Sequence, residues 1–306
     1  MKGTTRVDKV LTEASIKFKN AAFVIDQILP VLPVNNRTGK YAIFGKEHFR
    51  VSNDFRANGA PSKRVESASV TFGTYSTERH ALHDVITEDD RSEADAPIDT
   101  DLEVTEGLTE KILLRRESDG AGYLFNTATF AGYTAAVAHP WSDKVNGDPI
   151  DDGKTARSAV KLQIGRVPNV ALIGEEAFDD VCEHPDVIER MKYTQLGVAA
   201  EDILAKLWKI DKVIVGQAVY DSAKEGQASS LSRLWGRYCL FAYVPPRASL
   251  RTPALGYMPH KKLYGTNVAK VKKWYDEDIS GDKIEVEWEY DQILTAVSAG
   301  YLLSGI

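Results

Sequence analysis

The last segment of the chain, "GDKIEVEWEYDQILTAVSAGYLLSGI" (residues 281–306), decides the fold. An apolar set and an acidic set alternate along it: Ile284, Val286, Trp288 and Tyr290 against Glu285, Glu287, Glu289 and Asp291. Because neighbouring side chains of a strand point to opposite faces, this alternation predicts a strand with one buried face and a carboxylate row on its open face. Same-face carboxylates lie about 6.5–7 Å apart, a spacing that suits a catalytic pair, a solvated surface or a contact with a basic partner.

Upstream of this strand, helical and strand patterns alternate. "VPNVALIG" (167–174), "DKVIVGQAVYD" (211–221) and "RYCLFAYVPP" (237–246) predict short strands. "EEAFDDVCEHPDVIERMKYT" (175–194) and "AEDILAKLW" (200–208) predict helices. The Gly/Asp-rich stretch "WSDKVNGDPIDDGKT" (141–155) indicates a loop at a domain boundary.

The first half holds one long helix and a strong charge asymmetry. Apolar residues near a 3.6-residue period, with acids first and Arg115 and Arg116 later, predict a helix over 102–120. Residues 84–110 carry eleven acids against the single base Arg91, whereas the first twenty residues are mildly basic. Such separated charge blocks favour contacts between copies or with a scaffold over a single catalytic cleft.

Residues 39–76 predict a long two-stranded hairpin whose tip is "NDFRANGAPSKR" (53–64). A hairpin of this length has little core of its own, so we expect support from outside the monomer. Its charged residues are candidate intersubunit contacts: Lys46, Glu47, Arg50, Asp54, Arg56, Lys63 and Arg64. Residues 1–38 lack sustained periodicity, and Pro30 and Pro33 predict an extended arm.

Composition indicates a soluble globular protein that remains in a cytosol-like compartment. With 306 residues and 43% hydrophobic content, the chain can form two domains around a sizeable core. Its apolar runs fall short of the roughly 20 residues of a membrane helix, and its start lacks the apolar region of a signal peptide. Cys182 and Cys239 are far apart in sequence, which favours two reduced thiols over a disulfide.

Catalytic and cofactor motifs fail on inspection, and we predict no catalytic, cofactor-binding or metal-binding residue. "GDPIDDGKT" has the wrong glycine spacing for a phosphate-binding loop and carries acids where phosphate would sit. "GAGYLF" follows a helix and has Phe125 in place of the third glycine of a dinucleotide fingerprint. His80, His83 and Asp84 would share one face of a helix, but no second element with matching ligands accompanies them, so polar surface histidines are favoured. The pI of about 5.6 disfavours nucleic-acid binding.

Several segments of the second half resemble the major capsid protein family of tailed bacteriophages, whose fold is shared with encapsulins and the floor of the herpesvirus capsid. They are "VPNVALIGEEAFDDVCEHPDVIERMKYT", "AAEDILAKLWKIDKVIVGQAVYDSA", "WGRYCLFAYVPP" with the following "ALGY", and the closing "DKIEVEWEYDQILTAVSAGYLLSGI". The first half is similar in layout, with a basic arm, a long hairpin and a helix in the family's order.

The resemblance implies an α+β fold of the capsid type with four parts. These are an N-terminal arm (1–38), an extended β-hairpin loop (39–76), a peripheral domain with a long spine helix (77–150 and 283–295), and an axial α/β domain (151–282 and 296–306). Copies would form pentamers and hexamers of an icosahedral head around double-stranded DNA, assembled in the host cytoplasm. The loop and arm would clamp neighbours, and Glu285, Glu287 and Glu289 would face the basic arm or the "KVKK" segment of a neighbour.

Further partners and alternatives follow from the same resemblance. A separate scaffolding protein, a portal and, in some members, a decoration protein are expected, whereas a cofactor and a membrane are not. Some members join subunits through a Lys–Asn isopeptide bond, but Lys46 and Lys63 lack an identifiable partner, so we expect non-covalent assembly. The alternatives are an encapsulin-like shell around protein cargo and a cytosolic hydrolase that uses carboxylates of 84–110 or of the last strand.

Overall fold

The computed structural model describes residues 6–18, 20–44, 51, 54–56, 58–59, 70–93, 99–191, 200–224, 226–247, 254–265 and 268–306. The helices in chain order are α1 (Lys9–Lys17), α2 (Ile25–Ile28), α3 (Glu88–Glu93), α4 (Thr100–Leu124), α5 (Pro149–Ile164), α6 (Glu175–Cys182), α7 (Pro185–Met191) and α8 (Ala200–Trp208). The strands are β1 (Arg6–Val7), β2 (Val31–Val34), β3 (Thr38–Phe44), β4 (Val70–Ser76), β5 (Glu78–Thr87), β6 (Thr134–Ala136), β7 (Val170–Gly174), β8 (Lys212–Gly216), β9 (Val219–Asp221), β10 (Leu231–Arg233), β11 (Tyr238–Ala242), β12 (Gly256–Lys261), β13 (Ala269–Asp276), β14 (Gly281–Tyr290), β15 (Ile293–Leu294) and β16 (Gly300–Ser304).

The larger sheet is built around β14, the strand predicted from the sequence alternation. Its strand order is β1-β13-β14-β12-β15, with β5 also paired to β14 and β2 paired to β12. All ten residues of β14 pair antiparallel with β5, from Gly281 opposite Thr87 to Tyr290 opposite Glu78. The apolar residues Ile284 and Val286 are fully buried, which confirms the predicted core face.

The long helix α4 packs on this sheet and confirms the predicted helix, with 25 residues instead of the expected 19 or so. Asp99 caps its start by accepting a hydrogen bond from the Leu102 N–H at 3.3 Å. Leu108, Ile112 and Leu124 are buried along its inner side. The helix and the larger sheet therefore share one apolar core.

A second sheet, ordered β6-β16-β11-β7-β8, forms the core of the second half together with α5–α8. Trp208 and Phe241 meet edge to face there, with ring centroids 5.0 Å apart. Both expected helices and all three expected strands of this region are confirmed, and β16 brings the chain end into the same sheet. The predicted boundary loop over 141–155 is wrong from Pro149 onward, because Asp148 caps α5 and accepts from the Asp151 N–H at 2.8 Å.

The expected division at residues 282 and 283 falls inside one hairpin. β13 pairs with β14 from Asp276 opposite Gly281 to Ala269 opposite Trp288. β12 also joins the larger sheet, so residues 256–276, which we had assigned to the axial unit, lie in the sheet of the other unit. The pairing of β13 with β14 across the boundary and of β12 with β14 and β2 decides this, and the local sequence pattern does not show it. The axial and peripheral positions of the two units in a shell stay a prediction.

The described part of the N-terminal arm packs on its own subunit, and only part of it is extended. α1 lies against α4 and β13, and Ser15 and Thr109 are hydrogen-bonded at 2.8 Å. Ile25, Ile28 and Leu29 are fully buried. The extended backbone expected around Pro33 is present in β2, which runs parallel to β12. The prediction of an extended arm is thus wrong for residues 9–17, where Asp8 caps α1 and accepts from the Leu11 N–H.

The predicted hairpin is present as β3 and β4, paired from Thr38 opposite Ser76 to Phe44 opposite Val70. Two tyrosines stiffen it from one face, because the ring of Tyr41 lies over Gly73 and the ring of Tyr75 lies over Gly39. A Cβ atom at Gly73 would lie 2.3 Å from the Tyr41 ring, so both glycines are needed for this packing. Most of the predicted tip lies outside the described residues.

Candidate assembly interface

The carboxylate row of β14 is largely buried and paired within the subunit. Glu287 is 2% exposed and Glu289 is fully buried, so the prediction of a solvent-facing row is wrong for both. The strand register explains this result. Lys272 lies opposite Glu285 on β13, and Arg79 lies opposite Glu289 on β5, so cations of the adjacent strands fall on the acidic face.

Short ion pairs connect the row to these cations. Lys272 Nζ lies 2.5 Å from Glu285 Oε1 and 2.8 Å from Glu287 Oε2. Arg79 Nε lies 2.8 Å from Glu287 Oε1. Burial alone would raise the pKa of Glu287, but the hydrogen bond and charge of Lys272 hold it below its ordinary value. The "KVKK" segment that we expected from a neighbour is thus supplied, at Lys272, by the same chain.

The buried carboxylate of Glu289 lies beneath the loop root, which we define as Arg37, just before β3, and Thr77, just after β4. The Thr77 hydroxyl donates to Glu289 Oε1 at 3.0 Å, and Arg37 Nε lies 3.2 Å from the same oxygen. The two root residues also bond to each other, since the Thr77 N–H donates to the Arg37 carbonyl at 2.9 Å. Next to them, the Ser76 N–H donates to Asp291 Oδ2 at 3.0 Å. The hairpin therefore leaves the body at a polar, hydrogen-bonded site.

Beyond its root the hairpin presents apolar side chains to solvent. Phe72 is 64% exposed and Val70 is 42% exposed, both on the same face of β4. Phe55, in the predicted tip, is also exposed. The contact residues predicted from the sequence are all charged, and these apolar side chains are not among them. The signal was the alternation of Val70 and Phe72 in a hairpin that, among the described strands, forms a two-stranded sheet of its own.

The charged candidates of the loop divide into two groups. Asp54 and Arg56 are exposed. The other five lie outside the described residues: Lys46, Glu47, Arg50, Lys63 and Arg64. Their roles in subunit contact, and those of Glu285, Glu287 and Glu289, stay predictions.

The remaining candidate motifs lie in structural settings. His80 and Asp84 lie on the strand β5 and not on the helix we considered, and the His80 ring stacks on Tyr290 with centroids 4.3 Å apart. Within the described ranges, no group of three or more His, Cys, Asp or Glu side chains could hold a metal ion. Cys182 and Cys239 are free thiols, and burial raises the pKa of Cys182 to about 11. Among the described helices, none combines the length and the apolar content that a membrane span requires.

Comparison with known proteins identifies this architecture. No family model matches the chain. The major capsid protein of Burkholderia phage BcepMu is 30% identical over 315 aligned residues, covering 98% of this chain and 96% of that protein. The crystal structure of a phage-related protein from Bordetella bronchiseptica RB50 matches with a TM-score of 0.75 and 25% identity, over 97% of this chain and 96% of that one. The capsid of cyanophage P-SCSP1u shares the fold, with a TM-score of 0.59 and 12% identity over 94% and 88% of the two chains.

The fold is therefore the α+β fold of viral shell subunits, as the sequence resemblance predicted. The chain belongs to the family of phage major capsid proteins. Its place is the capsid of a virion, where copies assemble into a multimeric shell.

Proposed function

We propose that copies of this chain form pentamers and hexamers of an icosahedral head around double-stranded DNA, and that each β3–β4 hairpin packs on a neighbouring subunit. The observation that carries the proposal is the contrast within the hairpin. Its root is hydrogen-bonded to a buried carboxylate, while Phe72 and Val70 beyond the root remain exposed. A fixed projection with an apolar face is suited to bind a second molecule.

The energetics favour intermolecular burial of this face. A two-stranded hairpin is at best marginally stable alone, and side chains of this kind stabilise by about 1.5–3 kcal/mol when they pass from full exposure to full burial. Closed shells repeat one contact many times, so a modest contribution per subunit is sufficient. We propose that the role is structural and involves no catalysis, because Glu287 and Glu289 are already committed to ion pairs within the chain.

The division of the subunit supports a matching proposal for its two units. The second sheet, with α5–α8, would gather around the symmetry axes as the axial domain. The short β9–β10 hairpin of the second half carries the exposed side chains of Val219 (51%) and Leu231 (73%), which suit a contact there. A scaffolding protein, a portal and a decoration protein would complete the head, and this part rests on the family resemblance alone.

Deletion of the loop tests the proposal. Replacing residues 50–64 by a short Gly/Ser linker should leave a folded, soluble subunit but abolish shells in electron micrographs at rising protein concentration. Wild-type subunits, alone or with a scaffolding protein, should give rings or closed shells under the same conditions. Uniform monomers of the wild type under every condition, or unfolding of the deletion variant, would contradict the proposal.

The structure also changes what charge reversal should do. Since Glu287 and Glu289 are buried beside cations of their own chain, lysine at both positions should unfold the subunit and not merely weaken assembly. Glu285, which is half-buried, remains our candidate for a salt-sensitive contact with a neighbour. Its reversal to lysine should raise the assembly threshold more at low salt than at high salt.

A further inference from the structure

The strongest unassigned feature of the molecule is the fully buried carboxylate of Glu289 beneath the loop root. We propose that Glu289 is the positioning residue of the assembly loop, because it fixes the direction in which the hairpin leaves the body. This inference rests on the proposed function only where it concerns shells. The direction of the hairpin is a property of the isolated subunit.

Glu289 contacts side chains from both ends of the hairpin and from two strands of the body. Arg37 and Thr77 come from the hairpin ends, at 3.2 Å and 3.0 Å from Oε1. Arg79 Nη2 of β5 lies 3.5 Å from Oε2, and Lys261 Nζ of β12 lies 3.6 Å from Oε1. One carboxylate therefore connects the residue that precedes the hairpin, the residue that follows it and the larger sheet, from which the hairpin extends.

This arrangement restrains an angle and not only a distance. The backbone hydrogen bond between Thr77 and Arg37 holds the two ends of the hairpin together. This bond alone would still allow the whole hairpin to rotate relative to the body. The hydrogen bond from Thr77 and the ion pair with Arg37 tie both ends to Glu289 and oppose this rotation, since any tilt lengthens at least one of these contacts. Hydrogen bonds weaken steeply with misalignment, so the restraint is directional.

The length of the hairpin amplifies any error at the root. The seven paired residues of each described strand span about 20 Å at a rise of about 3.3 Å per residue. A tilt of about 10° at the root would therefore move Phe44 and Val70, at the far end of the described strands, by about 3.5 Å. Apolar contacts extend only over about 4.0–4.5 Å between heavy atoms, so this displacement is enough to lose a contact with a neighbour. The stiffening of β3 and β4 by Tyr41 and Tyr75 transmits the root angle outward.

Glu285 and Glu287 of the same strand serve as comparisons, because they do not reach the root. Glu285 pairs with Lys272, and Glu287 pairs with Lys272 and Arg79. Glu285→Gln is thus a matched control for Glu289→Gln. It makes the same substitution on the same face of the same strand, and it removes a charge without removing a contact with the root. Thr77→Val is the complementary test, since it keeps the carboxylate and removes the root hydroxyl.

The experiment measures the hairpin direction in unassembled subunits. Nitroxide labels are attached to cysteines introduced by Phe72→Cys and Val145→Cys in a Cys182→Ser background. Pulsed electron paramagnetic resonance then measures the distance between the hairpin and the body. Phe72 and Val145 are both exposed, and Cys239 is fully buried, so labelling is selective. We expect one narrow distance peak for the wild type and for Glu285→Gln. Glu289→Gln and Thr77→Val should both shift this peak or broaden it by roughly 2–3 Å, because Phe72 lies about 15 Å along β4 from the root.

Thermal unfolding separates positioning from mere support of the sheet. If Glu289→Gln lowers the melting temperature while its distance distribution matches the wild type, Glu289 only stabilises the sheet and the proposal is wrong. If Glu289→Gln does not fold, Thr77→Val decides alone, and an unchanged peak there overturns the proposal. Failure of the loop deletion to affect shells would instead refute the proposed function and leave the hairpin measurement valid.

Discussion

The exposed face of the hairpin makes the assembly role open to a quantitative test through Phe72→Ser. Phe72 lies on β4 opposite Ala42, and 64% of it is exposed in the isolated subunit. A substitution at a site of this kind should change the free energy of unfolding by no more than about 0.5 kcal/mol. Its effect should therefore fall on assembly and spare the fold.

The size of the effect follows from the area still open to burial. Complete burial of a phenylalanine side chain is worth about 1.5–3 kcal/mol, and about two thirds of that area remains exposed here, which leaves about 1–2 kcal/mol for contact with a neighbour. A change of this size corresponds to a factor of about 5–30 in an equilibrium constant. Since every added subunit loses the same contact, the free-subunit concentration at which shells begin to form should rise by that factor.

Sedimentation measures this threshold directly. Subunits are assembled over a range of total concentrations, with scaffolding protein at fixed excess where it is needed, and the supernatant concentration is read once shells pellet. Val145→Ser is the control: Val145 is 87% exposed and lies in the turn that precedes α5. Its threshold should match the wild type.

Two results would refute the reasoning. An unchanged threshold for Phe72→Ser, with normal unfolding, would show that this face stays exposed to solvent in the shell. A rise of the same size for Val145→Ser would show that general loss of apolar surface, and not the hairpin contact, controls assembly.

Three other residues give predictions for the stability of the subunit. Glu117→Gln should reduce the free energy of unfolding in urea by about 1–3 kcal/mol. The buried carboxylate accepts three N–H bonds, including one from Ile25, and an amide cannot accept all of them. An unchanged urea midpoint would contradict this prediction. Gly153→Ala should destabilise the subunit by about 1–3 kcal/mol, because the added Cβ would lie 2.1 Å from Trp208 Nε1. This loss should outweigh the higher helix propensity of alanine. A raised melting temperature would argue against this close packing. Burial, reinforced by the nearby Arg116 charge, holds the pKa of His260 well below 6.5, so stability is complete above that pH and falls as the pH drops below it. Between pH 7 and 5.5, the free energy of unfolding in urea should therefore fall by about 1 kcal/mol less in His260→Leu than in the wild type. Equal decreases in the two proteins would exclude His260 as the cause of the pH dependence.

Local patterns in the sequence were sufficient for most elements of the fold. Strand β14 and helix α4 follow from side-chain alternation and from a 3.6-residue period, and both are present. α1 was missed although Asp8 provides an N-cap, because a single nine-residue helix in a polar segment gives a weak periodic signal. Its stability comes from packing on α4, which the local sequence does not show.

The acidic face of β14 was predicted from the sequence, but the environment of its carboxylates was not. The carboxylates of β14 were correctly placed on one face of a strand, yet their partners Arg37 and Arg79 are more than 200 residues away in the chain. Whether such a face meets solvent, a neighbour or its own chain depends on strand register, which local alternation leaves open. The same gap explains why the loop root escaped notice, since no motif connects Thr77 with Glu289.

The loop root and the hairpin face should make separable contributions to the shell. Under the proposals above, apolar contact at Phe72 is non-directional and would set how strongly subunits associate, whereas the hydrogen-bonded carboxylate of Glu289 would set the angle at which they meet. We therefore expect Phe72→Ser to raise the assembly threshold without changing the shell diameter. Glu289→Gln should widen the diameter distribution in electron micrographs with a smaller change in threshold. In the double variant the diameter distribution should be as wide as in Glu289→Gln, while the threshold should rise by less than the sum of the two single effects, because a tilt at the root already displaces Phe72 from its contact. A fully additive rise in the threshold would mean that the root angle does not reach Phe72.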